Sequence, residues 1–171
     1  MTMRNTLVAA ILAAGAIGLG GFVWVHAQGG GGDSLTMQDH IDIRHAYARY
    51  NNTIDEGDAE GWVAMWVDDG DFNGFKGSDE LLRFARHYLD NQDGALRRHW
   101  INNLEIEAIP GGASAWNYFM ILDVSVTPPA VASTGRNHDM FVRTRDGWRF
   151  SSRTTYDSAG QLLQLSINEA D

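Results

Sequence analysis

Apolar side chains recur at helical spacing in the first half of the chain and at strand spacing in the second. Ile43, Tyr47, Tyr50 and Ile54 form one stripe, which predicts a helix over 36–54. Ser34 or Thr36 is placed to cap its start, and Gly57 to end it in the left-handed conformation. Asp58 caps a second, short helix on which Trp62, Met65 and Trp66 share a face. Asp68-Asp69-Gly70-Asp71 reads as a turn, and Phe72 as the start of a short strand. A third helix opens at Ser78-Asp79-Glu80, buries Leu81, Leu82, Phe84, Ala85 and Tyr88, and ends over 91–94.

From Leu96 onward the pattern turns extended, with strands predicted over 97–108, 114–126, 135–144 and 147–156. Pro110-Gly111-Gly112 and Arg145-Asp146-Gly147 suit hairpins, and Pro128-Pro129 marks a longer connection. Residues 158–171 form a tail with one helical turn around Leu162 to Leu165. Helices followed by a meander of long antiparallel strands predict an α+β domain, its curved sheet wrapped against the helices.

Composition narrows the chemistry. A chain of 171 residues suits one domain with a sizeable core. With 13 Lys+Arg against 22 Asp+Glu, the net charge of -9 opposes a phosphate-binding surface, so no nucleic-acid partner is expected. The absence of cysteine removes disulfides, thiolate metal sites and cysteine nucleophiles. At the N-terminus, Arg4 precedes an uncharged stretch from Leu7 to Val25, and Val25-His26-Ala27 fits a signal-peptidase site. Residues 1–27 therefore read as a signal peptide or an N-terminal membrane anchor, and 28–34 as a Gly-rich linker. Either reading puts the domain outside the cytoplasm: exported and periplasmic, or tethered to the membrane and facing the periplasm.

Three clusters then carry a resemblance. They are Tyr50 through Ile54-Asp55-Glu56-Gly57-Asp58 to Trp62, Trp66 and Asp69; Arg98-His99 with Asn103; and Gly135, Asp139 and Arg143 leading into Asp146-Gly147-Trp148-Arg149-Phe150 and Arg153. In order and spacing, residues 35–157 resemble the SnoaL-like branch of the nuclear transport factor two-like superfamily, which also includes scytalone dehydratase, hexachlorocyclohexane dehydrochlorinase and ketosteroid isomerase-like proteins. The resemblance implies a cone-shaped, barrel-like α+β roll: three N-terminal helices packed into a strongly curved antiparallel sheet around a cavity. It also implies a dimer through the sheet. Chemistry on such a fold ranges from dehydration and isomerisation to no known reaction, so function rests on the residues themselves.

Asp55 and His99 match the catalytic Asp and His of the two named lyases. A carboxylate bonded to one imidazole nitrogen fixes the tautomer and makes the other nitrogen a better base. The competing reading is a helix-end cap beside a structural histidine. On the 114–126 strand, Asn117, Phe119, Ile121 and Asp123 share the face that the resemblance turns inward. Asp123 then falls where scytalone dehydratase has a second catalytic histidine. The two tyrosines that hold that enzyme's substrate carbonyl are missing: Ile54 matches one, and Phe72 or Asn73 falls near the other. Tyr50, one turn earlier, is a candidate replacement.

Trp66 is a candidate pocket wall, alongside Trp62, Trp100 and Trp116. His138 or its neighbour Asp139 lines the cavity, but strand alternation sends them to opposite faces. His40 and His45 sit on the exposed part of the first helix near Asp39, Asp42 and Arg44, and no metal-ligand set gathers around them. His87 reads as surface.

Three functions remain open. The first is a cofactor-independent lyase or isomerase that abstracts a proton from a small hydrophobic molecule with His99, supported by Asp55, and needs neither metal nor cofactor. The second is a non-catalytic small-molecule-binding protein. The third is a dimeric interaction module.

Overall fold

A computed structural model describes residues 34–165 and residue 167. The segment read as signal peptide or anchor, and all of the linker except Ser34, lie outside the described residues. The elements run α1 (Met37–Asp55), α2 (Ala59–Val63), β1 (Trp66–Phe72), β2 (Phe75–Lys76), α3 (Ser78–Asp90), β3 (Arg97–Ile109), β4 (Gly112–Asp123), β5 (Ala130–Thr144) and β6 (Gly147–Asp157). The strands form one curved, unclosed sheet in the order β2-β1-β6-β5-β4-β3, with the helices packed against it. The α+β reading holds, with one correction. β1 runs parallel to β6, so the sheet is mixed rather than wholly antiparallel.

The expected turn at Asp68–Asp71 is part of β1. Trp66 pairs with Phe150 and Asp71 with Ser152, which leaves 67–70 opposite Ser151 alone. The turn-forming residues are thus absorbed in an irregular stretch of strand rather than a reversal. Trp66 accordingly begins a strand instead of extending the face of α2. The tail is also corrected: Leu162 bridges Tyr156 and Leu163 N–H donates to the Thr155 carbonyl at 2.9 Å, so 161–165 lies extended along the sheet rather than forming a helical turn.

Helix α1 is tied to the sheet by carboxylates at three levels. At its start, Thr36 and Asp39 make a reciprocal capping box. Asp39 is buried rather than surface-facing, because it also accepts from Trp148 Nε1 at 3.1 Å and pairs with Arg143. At its end, Asp55 reaches β3. In the middle, the Tyr47 hydroxyl donates to Asp139 at 2.5 Å.

Asp139 is fully buried on β5 and is the hub of a polar network. Arg153 donates to it through Nε at 2.6 Å and Nη2 at 3.0 Å, and Asn117 Nδ2 at 3.0 Å. Asn137 Nδ2 donates to Asn117 Oδ1 at 3.0 Å, and Thr155 Oγ1 to Asn137 Oδ1 at 2.9 Å. Every charge taken from water here has partners, which is the condition for burying an ion pair without a large penalty.

Around this network packs an aromatic core in which Phe150 touches Tyr47, Tyr50, Trp66 and Phe141. On the outer sheet face, Trp116 stacks on His138 at 4.2 Å with Arg136 above it at 4.5 Å, and Trp100 and Tyr118 are exposed.

Asp139→Asn should therefore strand the Arg153 charge in the interior and cost about 3–5 kcal/mol of stability, read from urea denaturation. A loss below about 1 kcal/mol would show that the pair is not the buried anchor described.

Candidate active site

The concave side of the sheet holds a half-open cavity of about 130 Å³. That is near the size of a cavity that admits one six-membered ring. Helix α1 contributes Tyr50, Asn51 and Ile54, one helical turn of its buried face. Trp62, Phe84 and Tyr88 come from the other two helices. Alternate strand positions fill the floor: His99 and Ile101 from β3, Phe119 and Ile121 from β4, then Ser133 and Asn137 from β5. Arg153 and Thr155 from β6 complete it, and Leu163 and Leu165 of the tail lie over it. Asn73, in a left-handed turn between β1 and β2, holds that tail: its Nδ2 donates to the Leu163 carbonyl at 2.9 Å while its Oδ1 accepts from Thr155 N–H at 2.7 Å.

Asp55 and His99 meet at the rim. The Asp55 carboxylate accepts from the His99 backbone N–H at 2.9 Å through Oδ2 and contacts the ring Nδ1 at 2.5 Å through Oδ1. A carboxylate acceptor puts the imidazole proton on Nδ1 and leaves the Nε2 lone pair free. No described residue bonds to Nε2, and the ring lines the cavity. The Asp55 and His99 side chains are 9% and 17% exposed, so both stand largely out of bulk water. Arg98 steadies the same corner by donating to the Asp55 backbone carbonyl at 3.3 Å.

Two of the predicted inward residues on β4, Phe119 and Ile121, line the cavity. Asn117 lies beneath it within the Asp139 network. Asp123 does not reach the cavity: it ends the strand in an ion pair with Arg97 at 3.3 Å, and Ser125's hydroxyl and N–H hold its carboxyl below the usual range. His138 also lies elsewhere, on the outer face with Ser114 Oγ at 3.0 Å, while Asp139 takes the inward side. Trp66 is buried behind the wall, packed on Tyr50, Trp62 and Phe72. Among the described residues no group of three or more metal-ligating side chains gathers.

Sequence reasoning missed Arg153 as a wall residue. Counting by twos from Phe150 sends Ser152 inward, but Phe141 pairs with Phe150 and Met140 with Ser152, so Ser151 is an extra residue. That bulge reverses the parity and turns Arg153 and Thr155 in. Arg153 lies over the Tyr50 ring at 4.2 Å. Burial opposes its charge, yet Asp139 and the Tyr50 side chain drive its pKa still higher, so it remains a fixed cation. Tyr88 was legible only as a core position on α3. It proves to be a half-buried cavity residue whose ring centroid is 5.9 Å from that of His99.

Burial raises the phenol pKa values of Tyr47, Tyr50 and Tyr88, the last to about 12, with Asp139 adding to the effect at Tyr47 and Asp55 at Tyr88. Unfolded tyrosines ionise near pH 10. Between about 10 and about 12 the folded state therefore binds more protons than the unfolded one, and stability should fall as pH rises through that window. Below about pH 10 the contribution is fully present. Phenolate absorbance and urea denaturation, measured together, check this; ionisation of all three in the folded protein near pH 10 would contradict it.

Comparison with known proteins agrees with the fold. Aln2 from a Streptomyces species superposes with a TM-score of 0.68 at 24% identity, over 73% of this chain and 94% of that one. An NTF2-like protein with a cystatin-like fold from Novosphingobium aromaticivorans gives 0.61 at 25% identity, over 72% and 84%. A protein from Catenulispora acidiphila, solved in complex with S-DNPA, gives 0.65 at 22% identity, over 70% and 93%. No curated protein matches the sequence. Residues 36–154 match the SnoaL-like domain, most of the chain, and the protein belongs to that family within the NTF2-like superfamily.

Proposed function

We propose that this protein is a cofactor-independent lyase or isomerase acting on a small, largely apolar molecule, with His99 as the general base. Family membership fits cofactor-free isomerase- or cyclase-type function. The observation that carries the finer reading is the 2.5 Å contact between Asp55 Oδ1 and His99 Nδ1 beside an apolar cavity. His99 Nε2 takes a proton from a substrate carbon, and the imidazolium so formed shares its Nδ1 proton with the Asp55 carboxylate. The electron pair left on carbon either expels a neighbouring group or moves a double bond. Partial exclusion from water strengthens the interaction between the charges that develop. Arg153, tied down by Asp139, gives a polar group elsewhere on the ligand a fixed partner.

The test uses a panel of one-ring ketones, alcohols and alkyl halides, followed by solvent-deuterium incorporation, loss of water or halide release. For any compound turned over, His99→Gln should keep the fold and lower the rate about 10²–10⁴-fold. Asp55→Asn should lose less, because the amide preserves the shape of the contact but not its charge. A folded His99→Gln variant with undiminished activity would exclude His99 as the base. Saturable binding of these compounds with no turnover by the native protein would leave a small-molecule-binding protein instead.

A further inference from the structure

Tyr88 is a polar group beside His99 that the scheme above leaves unused. Its ring and the His99 ring line the same cavity with centroids 5.9 Å apart and planes inclined at 60°. Its other ring contact is the stacked Phe84, and its hydroxyl makes no hydrogen bond to any described residue. A half-buried phenol without a protein partner among the described residues, next to a base with a free lone pair, has its donor available to a ligand.

Asn51 also lines the cavity, one helical turn before Asp55, while the remaining cavity hydroxyls and amides stand farther from His99. Ser133 lies two strands away in the same register row, through Ile121, or roughly 10 Å at ordinary strand spacing. Asn137 is another four residues along β5, roughly 13 Å at strand rise, and its side chain is engaged with Asn117 and Thr155. The Tyr50 phenol sits under Arg153.

We propose that the Tyr88 hydroxyl donates to a substrate carbonyl oxygen while His99 Nε2 removes the hydrogen on the adjacent carbon, so that the site takes one-ring compounds bearing a hydrogen α to a carbonyl. The inference rests on His99 being the base. It supplies what that reading leaves open: where the negative charge goes.

An α-carbon and its carbonyl oxygen are separated by one intervening carbon, so two protein groups in ring contact can reach both. As His99 Nε2 takes the proton, the C–H electron pair becomes the new C=C bond and the carbonyl π pair moves onto oxygen. The enolate oxygen accepts the Tyr88 hydrogen bond without taking its proton. The pair then returns through carbon, either re-protonated by His99 at another position or expelling a leaving group from the β-carbon. Burial and the Asp55 charge push the phenol up to about 12, so it stays a donor across the working range. Donors aimed at developing oxygen charge are among the largest single contributions to catalysis.

The experiment compares the native protein with Tyr88→Phe, which keeps the ring contacts and removes only the hydroxyl; near-ultraviolet circular dichroism checks the fold. Two rates are followed: α-deuterium exchange of cyclohexanone, and halide release from a cyclohexyl halide that carries no carbonyl. A parallel arm titrates bound 4-nitrophenol, a one-ring dye whose anion mimics the enolate oxygen. Tyr88→Phe should lose about 10²-fold on the ketone and far less on halide release. The native protein should lower the bound dye's pKa relative to Tyr88→Phe.

Equal ketone rates, or the same dye pKa in both proteins, overturn the proposal. Loss of halide release in His99→Gln with ketones inert in the native protein would also overturn it while leaving the general-base reading intact. If neither class turns over, the proposal is overturned, and the alcohols of the wider panel decide the base reading.

Discussion

A single carboxylate joins the end of a helix to the start of a strand and, in the same contact, sets the state of a histidine. Asp55 reaches the His99 backbone N–H with one oxygen and the ring Nδ1 with the other. The backbone bond places β3 against the end of α1, and the ring bond points Nε2 at the cavity. Two such bonds to an ionised acceptor are worth about 1.5–3 kcal/mol each. Architecture and chemistry therefore share one residue here. The Gly57 break just beyond it, at φ 82°, stops the helix where the carboxylate is needed.

The rest of the molecule keeps that corner open. Curvature comes from irregularities in the strands, among them Asn103 at φ 48° within the β3 register shift and the bulge at Ser151. The Asp139–Arg153 pair fastens β5 to β6 under the cavity, and Tyr47 ties α1 to the same point. A hydrophobic floor would pack as well and cost less to bury. What the ion pair adds is a cation in the wall of an otherwise apolar space, immobilised before any ligand arrives. The tail, pinned by Asn73, covers the remaining side with Leu163 and Leu165.

The three helices and four long strands were legible because apolar side chains recur along them: Ile43, Tyr47, Tyr50 and Ile54 on α1, and Ala113, Ala115, Phe119 and Ile121 on β4. Asp55 and His99 were legible through short motifs at a helix end and a strand start. What could not be read lies where the period breaks. Asp68-Asp69-Gly70 looks like a reversal because its composition suits one, yet β6 captures both ends as strand. Arg153 was hidden by one extra residue in β6. Strand parity grouped Asp123 with Asn117, Phe119 and Ile121, but the cavity ends at Ile121, and Arg97 claims the carboxylate. Tyr88 sits on a helical stripe that spells core; only the neighbouring strand makes it part of a site.

The chemistry depends on Asp55 holding His99 as the Nδ1–H tautomer with a bare Nε2. Nitrogen-15 NMR of the histidine side chains measures this directly, with His99→Gln assigning the resonance. With the ring neutral, the expected result is a protonated Nδ1 with a strongly deshielded, slowly exchanging proton, an unprotonated Nε2, and loss of that proton signal in Asp55→Asn. A neutral His99 carrying its proton on Nε2, or a ring unaffected by Asp55→Asn, would contradict it.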